Sequence, residues 1–359
     1  MSDDQDLHRL RDLPRIALET GYLDVYRAYR GLPMDASKLR AELAALAPEL
    51  GPLLRLFALG EKVARTALEP LLGAELVAAL ERLRVLLPAE PGVVHSGGMF
   101  LLPFLGKVVF LPALRHSPVA LFGDDTAALA ARLAPPRGAR SLGLHAGVGA
   151  LALHAVSLAA HVVAVEDSAV ARAVAELNVS MNGLEDRIEL RDGSAADVVQ
   201  RGERFAHLAA NPPLLPFPAD LLAEPGSDQG GSPTERVLER VPDLLADGGV
   251  AQIIGSGLGD AGGPRLRALL ETQASALAIA LTVTSQVPLD SGRMLGALAD
   301  SSGRAGVLSA EEAQRRMTQH LARTGCDRLF LFHLTISRGP RAGLSISRPD
   351  TLGGGYWSR

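Results

Sequence analysis

The chain is poor in cysteine, lysine and aromatic residues, and it has no long apolar run. Cys326 is its single cysteine. A disulfide framework or a cysteine-based zinc site within one chain is therefore excluded, and a reducing, cytoplasmic setting is expected. Lysine occurs only at Lys38, Lys62 and Lys107, and the net charge is −4. Tight binding to naked nucleic acid usually rests on a basic face, and the totals show none. Aromatic residues make up 4%, so the packing must rest on Leu, Ala and Val. No run of about 18 apolar residues occurs, so no membrane span is expected. The greasiest stretch, Phe100 to Leu114, is broken by Pro103, Gly106, Lys107 and Pro112 and suits a core strand. The N-terminus, MSDDQDLHRLRDL, is too acidic and polar for a secretory signal. The histidines show no metal-ligand spacing such as H-E-x-x-H, and no metal is expected.

What is present is ample core material, 47% hydrophobic in 359 residues, enough for two domains. Residues 1–116 predict a helical domain. Short apolar helices at Leu53 to Leu59, Val63 to Leu72 and Ala74 to Leu83 precede a strand at Arg84 to Leu87, with one or two more in Phe100 to Leu114. Three short helices and a hairpin suggest a winged-helix-like module. Its third helix lacks the Arg, Asn or Gln side chains that would reach base edges, which favours a scaffold or dimerisation role over DNA reading. Residues 117–338 alternate strands and helices, beginning with a strand at Val119 to Phe122 and ending at Arg328 to Ser337. That alternation predicts an α/β domain with a mostly parallel sheet. Residues 339–359 form a Gly-rich tail expected to be mobile.

Four elements of the α/β region carry chemistry. After the strand Arg140 to Leu144 comes a turn containing Gly143, His145, Gly147 and Gly149, where missing Cβ atoms let backbone approach a ligand. Next, Val162 to Glu166 is an apolar strand ending in a carboxylate. It follows the glycines at about the spacing of a ribose-binding acid, and Asp167 could share the role. The third is Asp192, just past the strand Ile188 to Arg191, either an adenine-amino acceptor or a turn residue before Gly193. The fourth is Asn211-Pro212-Pro213-Leu214, at the end of the strand Phe205 to Ala210. Two prolines stiffen this corner. The Asn211 side-chain oxygen and the Pro212 carbonyl could then converge on one –NH₂ donor.

In this order the elements resemble the class I, Rossmann-like S-adenosylmethionine (SAM)-dependent methyltransferases with an (N/D)-P-P-(Y/F/L)-type motif. The release-factor glutamine methyltransferases and rRNA guanine-N2 methyltransferases are the nearest in pattern. The resemblance covers Val119 to Ser337. It implies a mostly parallel sheet with an antiparallel last strand and SAM as cofactor, held by Gly143, His145, Gly147, Gly149, Glu166, Asp167, Asp192 and Asn211. It also implies an acceptor placed by Asn211, Pro212 and Leu214. A bacterial subset of the family carries a helical domain in front, as here.

Two positions depart from that pattern. Gly143 stands where the family has an acid, and His145 where it has its first glycine. Leu214 offers apolar contact without a π-face, which leans away from a nucleobase, although Phe217 could compensate. The resemblance implies as acceptor an amide, amine or amino-bearing heterocycle on a protein, an RNA or a small molecule. Asp228 to Thr234 is expected to be a substrate loop capped at Ser232. A homodimer is compatible with the N-terminal module. The competing readings are a non-catalytic SAM- or S-adenosylhomocysteine-binding protein and a DNA-binding regulator with a Rossmann-like sensor.

Overall fold

The computed structural model describes residues 2–29, 36–46, 49–113, 123–200, 202–218, 221, 231–289, 295–300 and 308–348. The strand expected at Val119 to Phe122 and the loop from Asp228 to Gly230 lie outside them. The chain divides into two compact units. One comprises Met1–Gly123, Gly147–His154 and Ser168–Leu190; the other comprises Asp124–Ala146, Ala155–Asp167 and Arg191–Arg359. The first unit takes in Gly147 and Gly149 of the glycine turn and the helix Ala169–Met181.

In the first unit, helices Ser2–Arg9, Asp12–Glu19, Tyr22–Ala28 and Ala36–Glu42 precede an apolar turn, Gly51–Leu53, that runs on as the π-helical Leu54–Ala58. Strand β1 (Val63–Ala64) follows, then helices Arg65–Leu72 and Ala74–Arg82, then β2 (Leu87–Glu90) and β3 (Val93–His95). The three strands form one antiparallel sheet in the order β1-β3-β2. The helix expected from Val63 therefore starts two residues later, because Val63 and Ala64 pair with Val94 and Val93. A β-branched residue already buried at 7% exposure gains more from that ladder than from a frayed first turn. The core gathers Leu54, Leu56, Phe57, Leu68, Leu80 and Phe110, all fully buried. Asp6 is also buried, and Arg82 grips it with two guanidinium nitrogens at 2.6 Å each. The Arg82 hydrogen bond holds the Asp6 carboxyl below the usual carboxylate range.

The greasy stretch becomes a hairpin, β4 (Met99–Phe104) and β5 (Lys107–Pro112). Leu105 and Gly106 at its tip both have positive φ, 46° and 81°, as a two-residue type I′ connection demands. Asn178 and Asn182, one helical turn apart on Ala169–Met181 and its cap, hydrogen-bond the backbone of Phe110 and Val108 on β5.

The second unit is an α/β, Rossmann-like sheet. Its strands are β6 (Arg140–Leu144), β7 (His161–Glu166), β9 (Phe205–Ala210), β10 (Leu245–Asp260), β11 (Gly263–Pro264), β12 (Ala278–Pro288), β13 (Arg328–Ser337) and β14 (Gly343–Ser347); β8 (Ile188–Asp192) is divided between the units. Within this unit the order is β14-β12-β13-β10-β9-β6-β7. Strands β7, β6, β9 and β10 run parallel, and β13 is antiparallel to both β10 and β12. The parallel strands read as apolar runs because both faces are covered; Val162 to Val165 are each 2% exposed or less. Helices Asp124–Ala130, Ala195–Gln200, Pro233–Leu244, Arg267–Gln273 and Ala310–Thr324 lie in the same unit. The tail is not featureless, since Gly343–Ser347 pairs parallel to β12.

One polar row crosses the buried sheet. Ser141 on β6 lies 2.7 Å from Nδ1 of His207 on β9, and His207 Nε2 lies 3.1 Å from the Gln252 oxygen on β10. That oxygen accepts from Ala134 N–H, so His207 Nε2 carries the proton and Nδ1 accepts from the serine hydroxyl. Burial keeps this imidazole neutral by pushing its pKa below the usual range.

Candidate functional site

Parallel α/β sheets present ligands at the carboxyl ends of their strands, and most of the singled-out residues cluster there in the second unit. Gly143 is the fourth residue of β6 and has ordinary φ. A Cβ there would come no closer than 3.9 Å to the Val163 carbonyl oxygen, so the position has room for a side chain. The turn begins at His145, where Ala146 N–H donates to the Val165 carbonyl on β7. His145 adopts φ +53°, a left-handed conformation uncommon for a residue with a Cβ. The histidine thus takes a backbone shape that suits glycine. Its half-buried imidazole is pushed toward neutrality by burial; Asp167 opposes this and Arg236 reinforces it.

The glycines of the turn fall to the first unit. Gly147 has φ +54° and Gly149 φ +81°. A Cβ on Gly149 would stand 3.3 Å from that of Ala175 on the helix Ala169–Met181, whereas one on Gly147 meets nothing within 4 Å. Glycine is favoured at 149 by both conformation and packing, and at 147 by conformation alone.

Glu166 ends β7 and is 6% exposed, while Asp167 beside it is exposed. Burial separates the two carboxylates that sequence left as alternatives. Asp192 is exposed at the end of β8. Its neighbour Arg191 bonds Glu203 at 2.6 Å, and Glu203 also takes Arg140 from β6. These hydrogen bonds, Arg191's first, hold the Glu203 carboxyl below the usual range. Gly193, φ +130°, and the Asp197 cap on Ser194 close the turn that follows.

The corner after β9 has the most decisive geometry. Pro212 is buried, Pro213 exposed and Leu214 half-buried. The Asn211 amide nitrogen donates to Asp125 Oδ2 at 2.8 Å and to Thr126 Oγ1 at 3.1 Å. A carboxylate only accepts, so the amide cannot be turned end for end. Asn211 Oδ1 is left buried with no hydrogen-bond partner. An acceptor in that state is unfavourable by about 1–3 kcal/mol, which marks it as an atom awaiting a donor. Asp125 and Thr126 do not stand out in the sequence; their only signal is an Asp-Thr pair in the first turn of a helix just ahead of β6.

Phe217 does not supply the aromatic face missing at Leu214. It is fully buried, edge-on to His320 with ring centroids 5.9 Å apart. Ser232 does cap its helix, as a reciprocal box with Glu235. Among the described residues no cluster of His, Cys, Asp and Glu could hold a metal ion, and no helix is long and apolar enough to cross a membrane.

No protein-family model and no curated protein matches the chain. Among solved structures it is similar to a tRNA methyltransferase of M.jannaschii, with 11% identity, TM-score 0.39, and 68% of this chain and 56% of that one covered. Trm5b of Pyrococcus abyssi gives 14%, 0.40, 71% and 62%. The SpnF cyclase gives 18%, 0.38, 61% and 82%. The chain therefore spans less than two thirds of the length of the first two. Chemistry differs among these neighbours, and activity lives in sites rather than folds.

Proposed function

We propose that the chain is an SAM-dependent methyltransferase acting on nitrogen. The observation that carries this reading is Asn211 Oδ1: a buried, unpartnered acceptor at the carboxyl end of a parallel strand, fixed in direction by bonds on the far side of its own amide. The residues fit the cofactor. Within the second unit, Glu166 is the buried carboxylate for the ribose hydroxyls and Asp192 stands for the adenine amino group, with Gly143, His145 and Asp167 as further candidates; Gly147 and Gly149 are the left-handed glycines of the motif's turn. When bound, SAM supplies an electrophilic methyl group on a sulfonium.

The chain's own part is to hold the acceptor nitrogen. Asn211 Oδ1 and the Pro212 carbonyl take its N–H hydrogens and favour the positive charge that grows there as the N–C bond forms. Leu214 contributes apolar contact beside them. A neutral amine needs no general base, since its proton can leave to water after transfer. The strand-and-helix order of residues 51–95 supports a winged-helix-like module in the first unit, with a dimerisation or substrate-lid role.

Isothermal titration with SAM and tritium transfer from labelled SAM into size-fractionated cell extract test the reading, and the fraction labelled separates protein, RNA and small-molecule acceptors. Asn211→Ala is expected to lower transfer about 100-fold or more, a far larger loss than any weakening of the SAM titration. Full turnover by that variant, or a wild type with no SAM affinity, would overturn it.

A further inference from the structure

We infer that Asp125 and Thr126 are positioning residues that select an N–H-bearing acceptor by fixing which end of the Asn211 amide faces it; this rests on the methyltransferase reading. The two ends of a carboxamide are nearly alike in shape but opposite in hydrogen-bond sense. With Oδ1 toward the substrate, Asn211 accepts from an amide, amine or amino-heterocycle nitrogen. With the amide turned over, it would present N–H donors and favour a carboxylate or an ether oxygen instead. Nothing in the covalent structure of Asn211 decides between the two.

The structure decides it from the helix Asp124–Ala130. Asp125 Oδ2 and Thr126 Oγ1 both lie on Nδ2, at 2.8 and 3.1 Å. Thr126 is 5% exposed, so its hydroxyl has few other directions to choose. A turned amide would set Oδ1 against a carboxylate oxygen, two acceptors within contact distance. Neither Asp125 nor Thr126 needs to touch substrate, since their effect runs entirely through Asn211. The pair sits in the chain well before the motif it serves, so specificity for nitrogen is divided between two distant stretches of sequence.

Two measurements on the full-length protein test this. The first needs no acceptor. The Asn211 side-chain NH₂ resonance, identified by its loss in Asn211→Asp, should show slowed solvent exchange in wild type and lose at least about 10-fold of that protection in Asp125→Ala, because a bonded amide exchanges only on opening. The second is transfer of labelled methyl from SAM into a dilution series of cell extract. Thr126→Val and Asp125→Ala should each lower the maximal rate about 10- to 100-fold, with the half-saturating dilution and the SAM titration little changed, and Thr126→Ser should restore the rate lost in Thr126→Val. Thermal midpoints confirm that the variants fold. Unaltered NH₂ protection in Asp125→Ala, or wild-type rates in both damaging variants, would overturn the inference. If wild type neither binds SAM nor transfers methyl, the enzyme reading fails while the resonance still reports on the clamp.

Discussion

Asn178 and Phe110 exchange a pair of amide hydrogen bonds: Phe110 N–H donates to Asn178 Oδ1 at 2.6 Å, and Asn178 Nδ2 donates to the Phe110 carbonyl at 3.0 Å. The same Nδ2 also donates to the carbonyl of Val148 at 2.9 Å, between the two glycines of the turn. A side chain thus completes a strand edge and fixes a loop at once, and it is fully buried.

Asn178→Ala should therefore lower stability by about 2–4 kcal/mol, since one backbone N–H and two carbonyls lose their partner together. Asn178→Asp should fare no better, because it keeps the acceptor for Phe110 N–H but turns oxygen toward two carbonyls. Urea midpoints at unchanged slope would measure both; a loss below about 0.5 kcal/mol, within the range of ordinary surface substitutions, would show that water replaces the amide.

The two turn glycines should respond differently. Gly147→Ala meets open space and is expected to lose only the left-handed backbone preference, about 1–2 kcal/mol. Gly149→Ala adds a Cβ at 3.3 Å from Ala175 and should lose more. The excess should vanish when Ala175→Gly is combined with it, a coupling that a double-mutant cycle in thermal denaturation would read.

Acid should weaken the fold through His207. Burial depresses its folded-state pKa, and His145 shifts in the same direction for the same leading reason. A base with a depressed folded pKa binds more protons when unfolded, so its contribution is fully present above the unfolded value, about 6.5, and is lost as pH falls below it. Thermal midpoints should decline from pH 7 to pH 5, and His207→Gln, which cannot take up the proton, should flatten that slope. An equally steep decline in the variant would assign the effect elsewhere.

Ser232 caps the helix Pro233–Leu244 by accepting from Glu235 N–H at 3.3 Å, while the Glu235 carboxylate takes Ser232 N–H at 2.7 Å. Ser232→Ala should lower stability by about 1 kcal/mol, and Ser232→Asp should restore most of it. A neutral alanine in chemical denaturation would mean that the box forms without holding the helix.

Much of this architecture was legible in the residues. The strand Arg328–Ser337, the helix opening after Ser309 and the cap at Ser232 announce themselves through apolar alternation and N-cap chemistry. The carboxyl half of β10 did not, because Gly255, Gly257 and Gly259 look like a loop. Those glycines answer to packing: a Cβ on Gly255 would stand 2.6 Å from Thr234, and one on Gly259 2.1 Å from the Gly263 carbonyl oxygen. Such constraints come from residues brought near only by folding. At the candidate site, Asn211 and Glu166 stood out by motif and position, but the partners of Asn211 did not. Asp125 and Thr126 precede it by more than eighty residues, and their local pattern is fully explained as a helix start.

The parallel pairing of Gly343–Ser347 with Ala278–Thr282 has a practical side. A chain cut just after Pro340 would keep every strand of the interior yet bare the outer margin of β12, a ribbon of unanswered N–H and C=O groups along a partly apolar face. Such a margin recruits neighbours. A shortened form of this protein made for crystallisation should accordingly lose solubility before it loses its fold, and an affinity tag is better attached at the other terminus.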